Sequence, residues 1–174
     1  MLVLRCTQRT VALDKHRLQQ HLERAVQLIR RSARTPLRAD HVHEVDVGVW
    51  CASDATVRRL NADYRKERHV TDVLAFGFPD PPVIEEEPGK PLMDVGTVIV
   101  AVPFVYRRFW RTEPAATPAA DFHRHLTGIA VHGLCHLFGY LHDTEQQQES
   151  MQRMEDEVDA QLFGTAAAST ATRV

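Results

Sequence analysis

Residues 132–142 carry three histidines, His132, His136 and His142, in the sequence HGLCHLFGYLH. Residues four apart lie on one face of a helix, so the first two imidazoles can reach a single metal ion. Gly139 can adopt the left-handed conformation that ends a helix, after which the chain can return His142 to the same ion. Three nitrogen ligands leave a fourth position to water, as in catalytic zinc sites. The spacing therefore predicts one Zn²⁺ per chain.

Other interpretations of these residues also have to be considered. The chain has ten histidines, so a pair spaced by four could be a chance feature of a surface or core helix. The glycine and the third histidine at the turn favour the metal site. His125 lies on the same helix face but roughly 10 Å further along the axis, too far to share the ion. Cys135 could bind a soft metal, although a small buried hydrophobe is the more common role of this residue type.

The histidine and glycine spacing matches the H-E-x-x-H-x-x-G-x-x-H pattern of metzincin proteases. The second position differs, because Gly133 stands where those proteases have the glutamate that acts as general base. Without that carboxylate, peptide hydrolysis lacks its usual proton acceptor. A peptidase or amidase is therefore the least favoured hydrolase.

A series of helices and strands must position these residues. Asp14 is a candidate N-cap, and Thr144 with Gln147 can form a capping box. Thr117 and Pro118 can begin the histidine-bearing helix. The alternation of apolar and polar residues places Val57, Leu60 and Tyr64 on the inward side of one helix, and Leu74, Phe76 and Phe78 on one face of a strand. The predicted strands are 2–7, 44–51, 73–78 and 95–102, the helices are 14–34, 53–65, 103–111, 118–138 and 145–163, and residues 79–93 are a loop.

Strands and helices are intermixed without a regular alternation, which favours the α+β class: a single domain over 1–163, with a mixed sheet of about four strands and helices packed on it. Residues 164–174 are small and polar, and we expect them to form a disordered tail. A chain of 174 residues suits one domain.

Composition narrows the class of protein further. No apolar run approaches the roughly 18 residues that cross a bilayer, so no membrane contact is expected. No secretory signal is recognisable. Three widely spaced cysteines, Cys6, Cys51 and Cys135, do not suggest a disulfide framework, so a reducing, intracellular setting is expected. The formal net charge of −2 is unlike that of a strongly basic nucleic-acid binder, so any RNA contact must use a local basic patch.

Two motifs together resemble the YbeY family of metal-dependent endoribonucleases. Residues 132–142 match H-G-x-x-H-L-x-G-Y-x-H, and Leu60-Asn61, Tyr64-Arg65 and the segment 71–78 match a second block, L-N-x-x-Y-R followed by T-[DN]-V-L-S-F-x-F. Met151 matches the C-terminal helix. The likeness implies a small α+β fold, zinc on the three histidines, Arg65 as a catalytic-site arginine, and a role in ribosomal RNA maturation and ribosome quality control.

The resemblance also implies partners and a cellular setting. Single-stranded RNA, in particular ribosomal RNA, is the expected substrate, with the ribosome or its proteins as further partners. The motifs look closer to the eukaryotic form of the family than to bacterial ones. A cytoplasmic location is expected, with the mitochondrion or a plastid as the alternative.

The sequence departs from the family pattern at several positions. The family usually has Ser at Ala75, and often Pro at Val70 and Gly77. It usually has Gly-Asp at the start of the central strand, where this chain has Gly96 and then Thr97. If that acid orients a ligand or water, its role passes to Asp94 or is absent.

Arg65 also has a physical argument beside the resemblance. Phosphodiester cleavage builds negative charge on phosphoryl oxygens, and a guanidinium can pair with two of them at once. The alternative is a solvated arginine at a helix end. Two stretches could guide RNA, the basic turn 65–69 and the segment 106–111; in the latter, arginines and aromatic residues either form a stacking surface or pin a helix to the core. We expect the basic turn and the zinc to share one groove.

The sequence is compatible with two functions. The first is a zinc-activated endoribonuclease specific for single strands. The alternative is a zinc-stabilised, ribosome-associated binding protein with weak or no catalysis, which Thr97 and the near-neutral charge favour.

Overall fold

The computed structural model of this protein describes residues 1–39, 41–112 and 119–164. These ranges contain five strands and five helices. The strands are β1 (Leu2–Cys6), β2 (Glu44–Ala52), β3 (Val73–Phe76), β4 (Val83–Glu87) and β5 (Lys90–Ala101). The helices are α1 (Lys15–Arg31), α2 (Asp54–Arg65), α3 (Val102–Thr112), α4 (Ala119–Leu137) and α5 (Glu145–Phe163). The predicted tail, apart from Gly164, and the predicted Thr117-Pro118 helix start lie outside the described residues.

The strands form one mixed sheet in the order β1-β2-β5-β3. β1, β2 and β5 are parallel, whereas β3 and β4 both run antiparallel to β5. β4 pairs with the first half of β5, as in Val83 opposite Met93, and β3 pairs with the second half, as in Phe76 opposite Thr97. β3 and β4 therefore lie along the same edge of the sheet. The α+β class and the single mixed sheet are confirmed.

Helices cover the two faces of the sheet unequally. Val98 and Val100 of β5 point into the main core, which they share with apolar residues of α1, α4 and α5. Ile99 and Ala101 point the other way, into a smaller cluster that contains Val57 of α2. Since neighbouring residues of a strand face opposite sides, α2 packs on the face opposite to α1, α4 and α5.

The predicted loop over 79–93 is wrong, and the sheet has five described strands rather than about four. Gly89 has a φ of 75° and its N–H donates to Glu85 Oε1 at 2.6 Å, so β4 and β5 form a hairpin. Prolines and acidic residues suggested a loop, but both are tolerated on an edge strand, where one row of backbone groups faces solvent.

Two apolar patterns were also interpreted wrongly. Tyr64 is 68% exposed rather than inward, and Phe78 is 47% exposed and lies beyond the end of β3. The alternation of apolar and polar residues shows which side of a helix or strand faces inward. It does not show how far the neighbouring elements extend to cover that side. The last turn of α2 and the residues after Phe76 lie at the edge of the sheet, where none of the strands in the described ranges covers them.

The helix starts follow the predicted capping residues. The Asp14 side chain accepts the Arg17 N–H at 3.0 Å, and Thr144 and Gln147 form a capping box at the start of α5. None of the described helices combines the length and apolar character that crossing a bilayer requires.

Candidate metal centre

The last turns of α4 and the connection that follows bring the three histidines together. His132 and His136 lie on one face of α4, and Gly139, with a φ of 86°, reverses the chain after the helix. Tyr140 is buried, and its N–H donates to Cys135 O at 3.0 Å, which fixes the returning chain against α4. His142 follows two residues later.

The imidazole nitrogens converge to nearly the separation that one ion requires. One ligand atom from each histidine lies within 4.8 Å of the other two. The Nε2 atoms of His132 and His136 are 3.2 Å apart. Two nitrogens bound to a tetrahedral zinc ion at about 2.0–2.1 Å stand roughly 3.3 Å apart. The Nε2 atoms of His132 and His136 are therefore already spaced for one zinc ion, and the His142 ring would have to move only slightly to reach the same ion.

Both helical histidines are held by their outward nitrogens. His136 Nδ1 lies 3.0 Å from Tyr140 O, and His132 Nδ1 lies 2.7 Å from Glu155 Oε1. A carbonyl or carboxylate oxygen only accepts, so each Nδ1 carries the proton and each Nε2 keeps a free lone pair. This is the usual support of a metal-binding histidine, so the residues present fit a zinc ion.

Burial favours the neutral form of His136 as well. Desolvation is the main cause that lowers its pKa, and the neighbouring His132 adds to the effect. Because a metal ion binds only the deprotonated imidazole, a lowered pKa reduces the competition from protons near neutral pH. His142, in contrast, is exposed, and its ring stacks on that of His132 at 5.7 Å between centroids.

Glu155 was missed by the sequence analysis. It belongs to α5, where Met151, Met154 and Val158 form the buried stripe, and its side chain is only 12% exposed. A signal for it existed: an acidic residue four positions after Met151 falls on the apolar face of its helix, where a charge needs a partner. The spacing of the histidines gave no indication that Glu155 would be paired with His132.

Gly133 faces the sheet. A Cβ at Gly133 would lie 2.6 Å from Val98 Cγ1 and 3.0 Å from Val73 Cγ2. The position that carries the general base in metzincins therefore packs tightly on β5 and β3, and no side chain fits there unless α4 shifts. Cys135 is fully buried and burial raises the pKa of its thiol, as expected of a core residue rather than a ligand.

A cavity of about 260 Å³ opens beside the histidines. Its other wall is α5, with Gln148, Met151, Gln152 and Glu155. The sequence of α5 contains six acidic residues and one arginine, but Glu155 is the one acid among the four α5 residues that line the cavity, and it lies against His132 Nδ1. Some of these acids are paired, as Asp159 is with Arg124.

Arg65 lies on a different helix from the metal-site histidines. Arg65 is the exposed last residue of α2, so it approaches the sheet from the face opposite to α4. That the basic turn and the zinc share one groove stays a prediction. The two regions meet at the same end of β3: Tyr64 contacts Phe76, and a Cβ at Gly77 would lie 3.2 Å from Leu137 Cδ2, directly after His136.

The second basic stretch is a packing helix. Phe109 of α3 is 5% exposed, and Tyr106 packs edge-on against Phe122 at 5.0 Å. Arg107 pairs with Asp54 of α2. The packing interpretation of 106–111 is confirmed.

Asp94 has a local role. It lies between Met93 and Val95, which face the main core, so its side chain points to the α2 face, and it accepts the Gly96 N–H at 2.9 Å. Asp94 is therefore on the side of the sheet away from the histidines.

Comparisons with known proteins agree with the motifs. A family model described as "Endoribonuclease YbeY" matches residues 4–162. Proteins of that name are similar to this chain: one from Alkalilimnicola ehrlichii is 34% identical over 122 residues, 70% of this chain and 68% of that protein. One from Sinorhizobium medicae is 32% identical over 81% of this chain and 76% of that protein. One from Homo sapiens is 28% identical over 90% of this chain and 85% of that protein.

Proposed function

This chain belongs to the YbeY family of endoribonucleases, and from that premise we propose that it hydrolyses single-stranded RNA at one zinc ion held by His132, His136 and His142. We further propose that its substrate is ribosomal RNA, cut during maturation or quality control of the ribosome, in the cytoplasm or in a mitochondrion or plastid. Residues 1–163 would act as one catalytic domain.

The observation that carries the proposal is the convergence of three imidazoles, two of which, His132 and His136, already have their outward nitrogens engaged. A zinc ion held there would lower the pKa of a bound water toward 7 and would polarise a phosphoryl oxygen. Glu155 and the Tyr140 carbonyl hold His132 and His136 in the tautomer that offers Nε2. The protein supplies no carboxylate at position 133, so it lacks the general base on which the glutamate-assisted chemistry of peptidases depends.

Charge supports one direction of approach for RNA. α5 carries six acidic residues and one arginine, a charge that disfavours phosphates along this helix, whereas the exposed cations Arg65, Lys66 and Arg68 lie at the end of α2 and just after it. We propose that the RNA crosses the edge of β3, with Arg65 paired to a phosphate and the scissile bond at the histidines. An arginine suits this role because its planar donors can contact two phosphoryl oxygens together.

The test uses the full chain loaded with zinc and a labelled RNA, both as a single strand and as a duplex of the same sequence. We expect zinc-dependent cleavage of the single strand and little cleavage of the duplex. His136→Ala should abolish cleavage, and Arg65→Ala should reduce it while zinc stays bound. Binding of single-stranded RNA without cleavage in the wild type would instead favour the binding-protein alternative. Digestion of casein would indicate a peptidase.

A further inference from the structure

Tyr64 is a large aromatic residue that the fold leaves uncovered. Its side chain is 68% exposed at the end of α2, although Val57 of the same helix is fully buried. An exposed single apolar residue is common and carries no function by itself. Tyr64 differs because it adjoins a group of exposed cations, Arg65, Lys66 and Arg68.

The ring of Tyr64 is also held in place. It meets the ring of Phe76 edge-on, with 4.9 Å between centroids and 65° between planes. Phe76 in turn packs with the smaller core cluster that contains Leu74 and Ile99. Edge-to-face contacts of this kind stabilise an aromatic pair beyond the burial of its apolar surface. An oriented ring that stays open to solvent is a surface on which a flat ligand can stack.

The position of Tyr64 connects it with the metal centre. Phe76 is the last residue of β3, and Gly77 after it packs against Leu137, the residue that follows His136. β3 lies at an edge of the described sheet. Tyr64 and the histidines therefore lie on two sides of the same end of one edge strand, so a strand of RNA that bends over this edge reaches both.

We propose that Tyr64 stacks on an unpaired base of the RNA substrate while the adjacent cations hold its phosphates. This proposal rests on the proposed function and adds a source of single-strand specificity to it. A base in a duplex is covered by its neighbours and cannot offer its face to a tyrosine, whereas an unpaired base can. Aromatic stacking tolerates every base, so Tyr64 would select for strandedness rather than sequence.

The test pairs changes in the protein with changes in the RNA. Wild type, Tyr64→Ala and Tyr64→Phe are compared on single-stranded RNAs in which one nucleotide at a time is made abasic. Loss of one stacked base typically weakens binding roughly 5- to 100-fold. We expect wild type to lose affinity at one abasic position, Tyr64→Ala to be weak on intact RNA without further loss there, and Tyr64→Phe to behave like wild type.

Controls separate this proposal from its alternatives. Val3→Ala removes an exposed apolar side chain at the opposite edge of the sheet and should change nothing. The dependence of affinity on salt should be the same for wild type and Tyr64→Ala, since stacking releases no counterions. Melting temperatures report whether each variant is folded, and Tyr64→Phe tests the role of the ring independently of any loss of fold in Tyr64→Ala.

Three results would overturn the proposal. The first is additive losses for Tyr64→Ala and every abasic position, and the second is a Tyr64→Phe variant as weak as Tyr64→Ala, which would assign the hydroxyl instead. The third is unchanged RNA binding with loss of a protein partner, which would make Tyr64 part of a protein interface. If wild type binds RNA but does not cleave it, the proposed nuclease function fails while the abasic series still decides the stacking proposal.

Discussion

The two flanks of the candidate site differ in nearly every physical property. The α4–α5 flank, which carries the histidines and Glu155, is packed into the main core, and His132 and His136 each have an outward partner. The α2–β3 flank, residues 64–78, ends in exposed residues with several cations. We infer that one flank is built to hold a metal ion and the other to hold the substrate, so metal affinity and RNA affinity should respond to different substitutions.

The largest effect on zinc binding and RNA cleavage is expected in the α4–α5 flank. His136→Ala removes a ligand that burial and the Tyr140 carbonyl hold in place, so bound zinc should fall to background and RNA cleavage should drop by at least about 100-fold. Zinc content by mass spectrometry and cleavage rates measure this. The matched control is His125→Ala, an exposed histidine of the same helix, which should keep its zinc. Full zinc occupancy in His136→Ala would show that the ligand set is wrong.

Glu155→Gln should weaken zinc binding without removing the ligands. The amide can still contact His132 but carries no charge, and loss of such a supporting carboxylate typically costs 10- to 100-fold in metal affinity. Competition with a chromophoric chelator gives the affinity, and RNA binding should be unchanged. Asp156→Asn, at the neighbouring exposed acid, is the control. Equal zinc affinity in wild type and Glu155→Gln would remove Glu155 from the account.

In the α2–β3 flank, substitutions should change RNA cleavage and leave zinc binding unchanged. Arg65→Ala should leave zinc affinity and fold unchanged and lower cleavage by about 10- to 100-fold, as expected for a lost charged hydrogen bond. Arg65→Lys should restore only part of the activity, because an ammonium does not pair with two phosphoryl oxygens as a guanidinium does. Single-turnover cleavage measures both variants.

Salt titration of RNA binding sharpens the same prediction. Two to four phosphate contacts at about 0.7 per phosphate give a shallow slope of log affinity against log salt, near −1.4 to −2.8. Arg65→Ala should reduce the slope by about 0.7. A slope of zero in the wild type, or equal slopes in both proteins, would contradict a phosphate-binding role of this flank.

The smallest effect concerns the stability of the fold where α1 packs against α4. His21 of α1 and His123 of α4 lie 3.0 Å apart, and burial is the main cause that lowers the pKa of both, with Arg17 adding repulsion. The unfolded chain therefore binds more protons below a pH of about 6.5, and stability should fall as the pH falls through that range. His123→Gln should make the decrease in melting temperature between pH 7.5 and 5.5 shallower. An unchanged decrease would show that the pair contributes little.

The α4–α5 flank was also easier to predict from the sequence than the α2–β3 flank. His132, His136 and Gly139 interact through local helix geometry, so their spacing alone indicated the site. Glu155 is distant in sequence, and only its place in an apolar stripe could have identified it. Periodicity predicted Tyr64 as inward because it does not show where the sheet ends.

The face on which α2 packs was beyond a sequence argument. α1 and α2 follow parallel strands that advance in the same direction across the sheet, from β1 to β2 to β5. α1 connects two parallel strands, to which the general preference for one hand of crossover applies, whereas α2 leads into β3, which runs antiparallel to β2, so that preference does not fix the face on which α2 packs. The Arg65 assignment therefore remains a prediction that rests on the family resemblance and on phosphate chemistry.

Zinc X-ray absorption spectroscopy on the full chain would show whether His132, His136 and His142 hold an open metal site. We expect four light ligands at about 2.0–2.1 Å, of which three show the scattering pattern of imidazole. A sulfur ligand at about 2.3 Å, which would implicate Cys135, or a fourth imidazole would indicate a closed structural site and contradict the account.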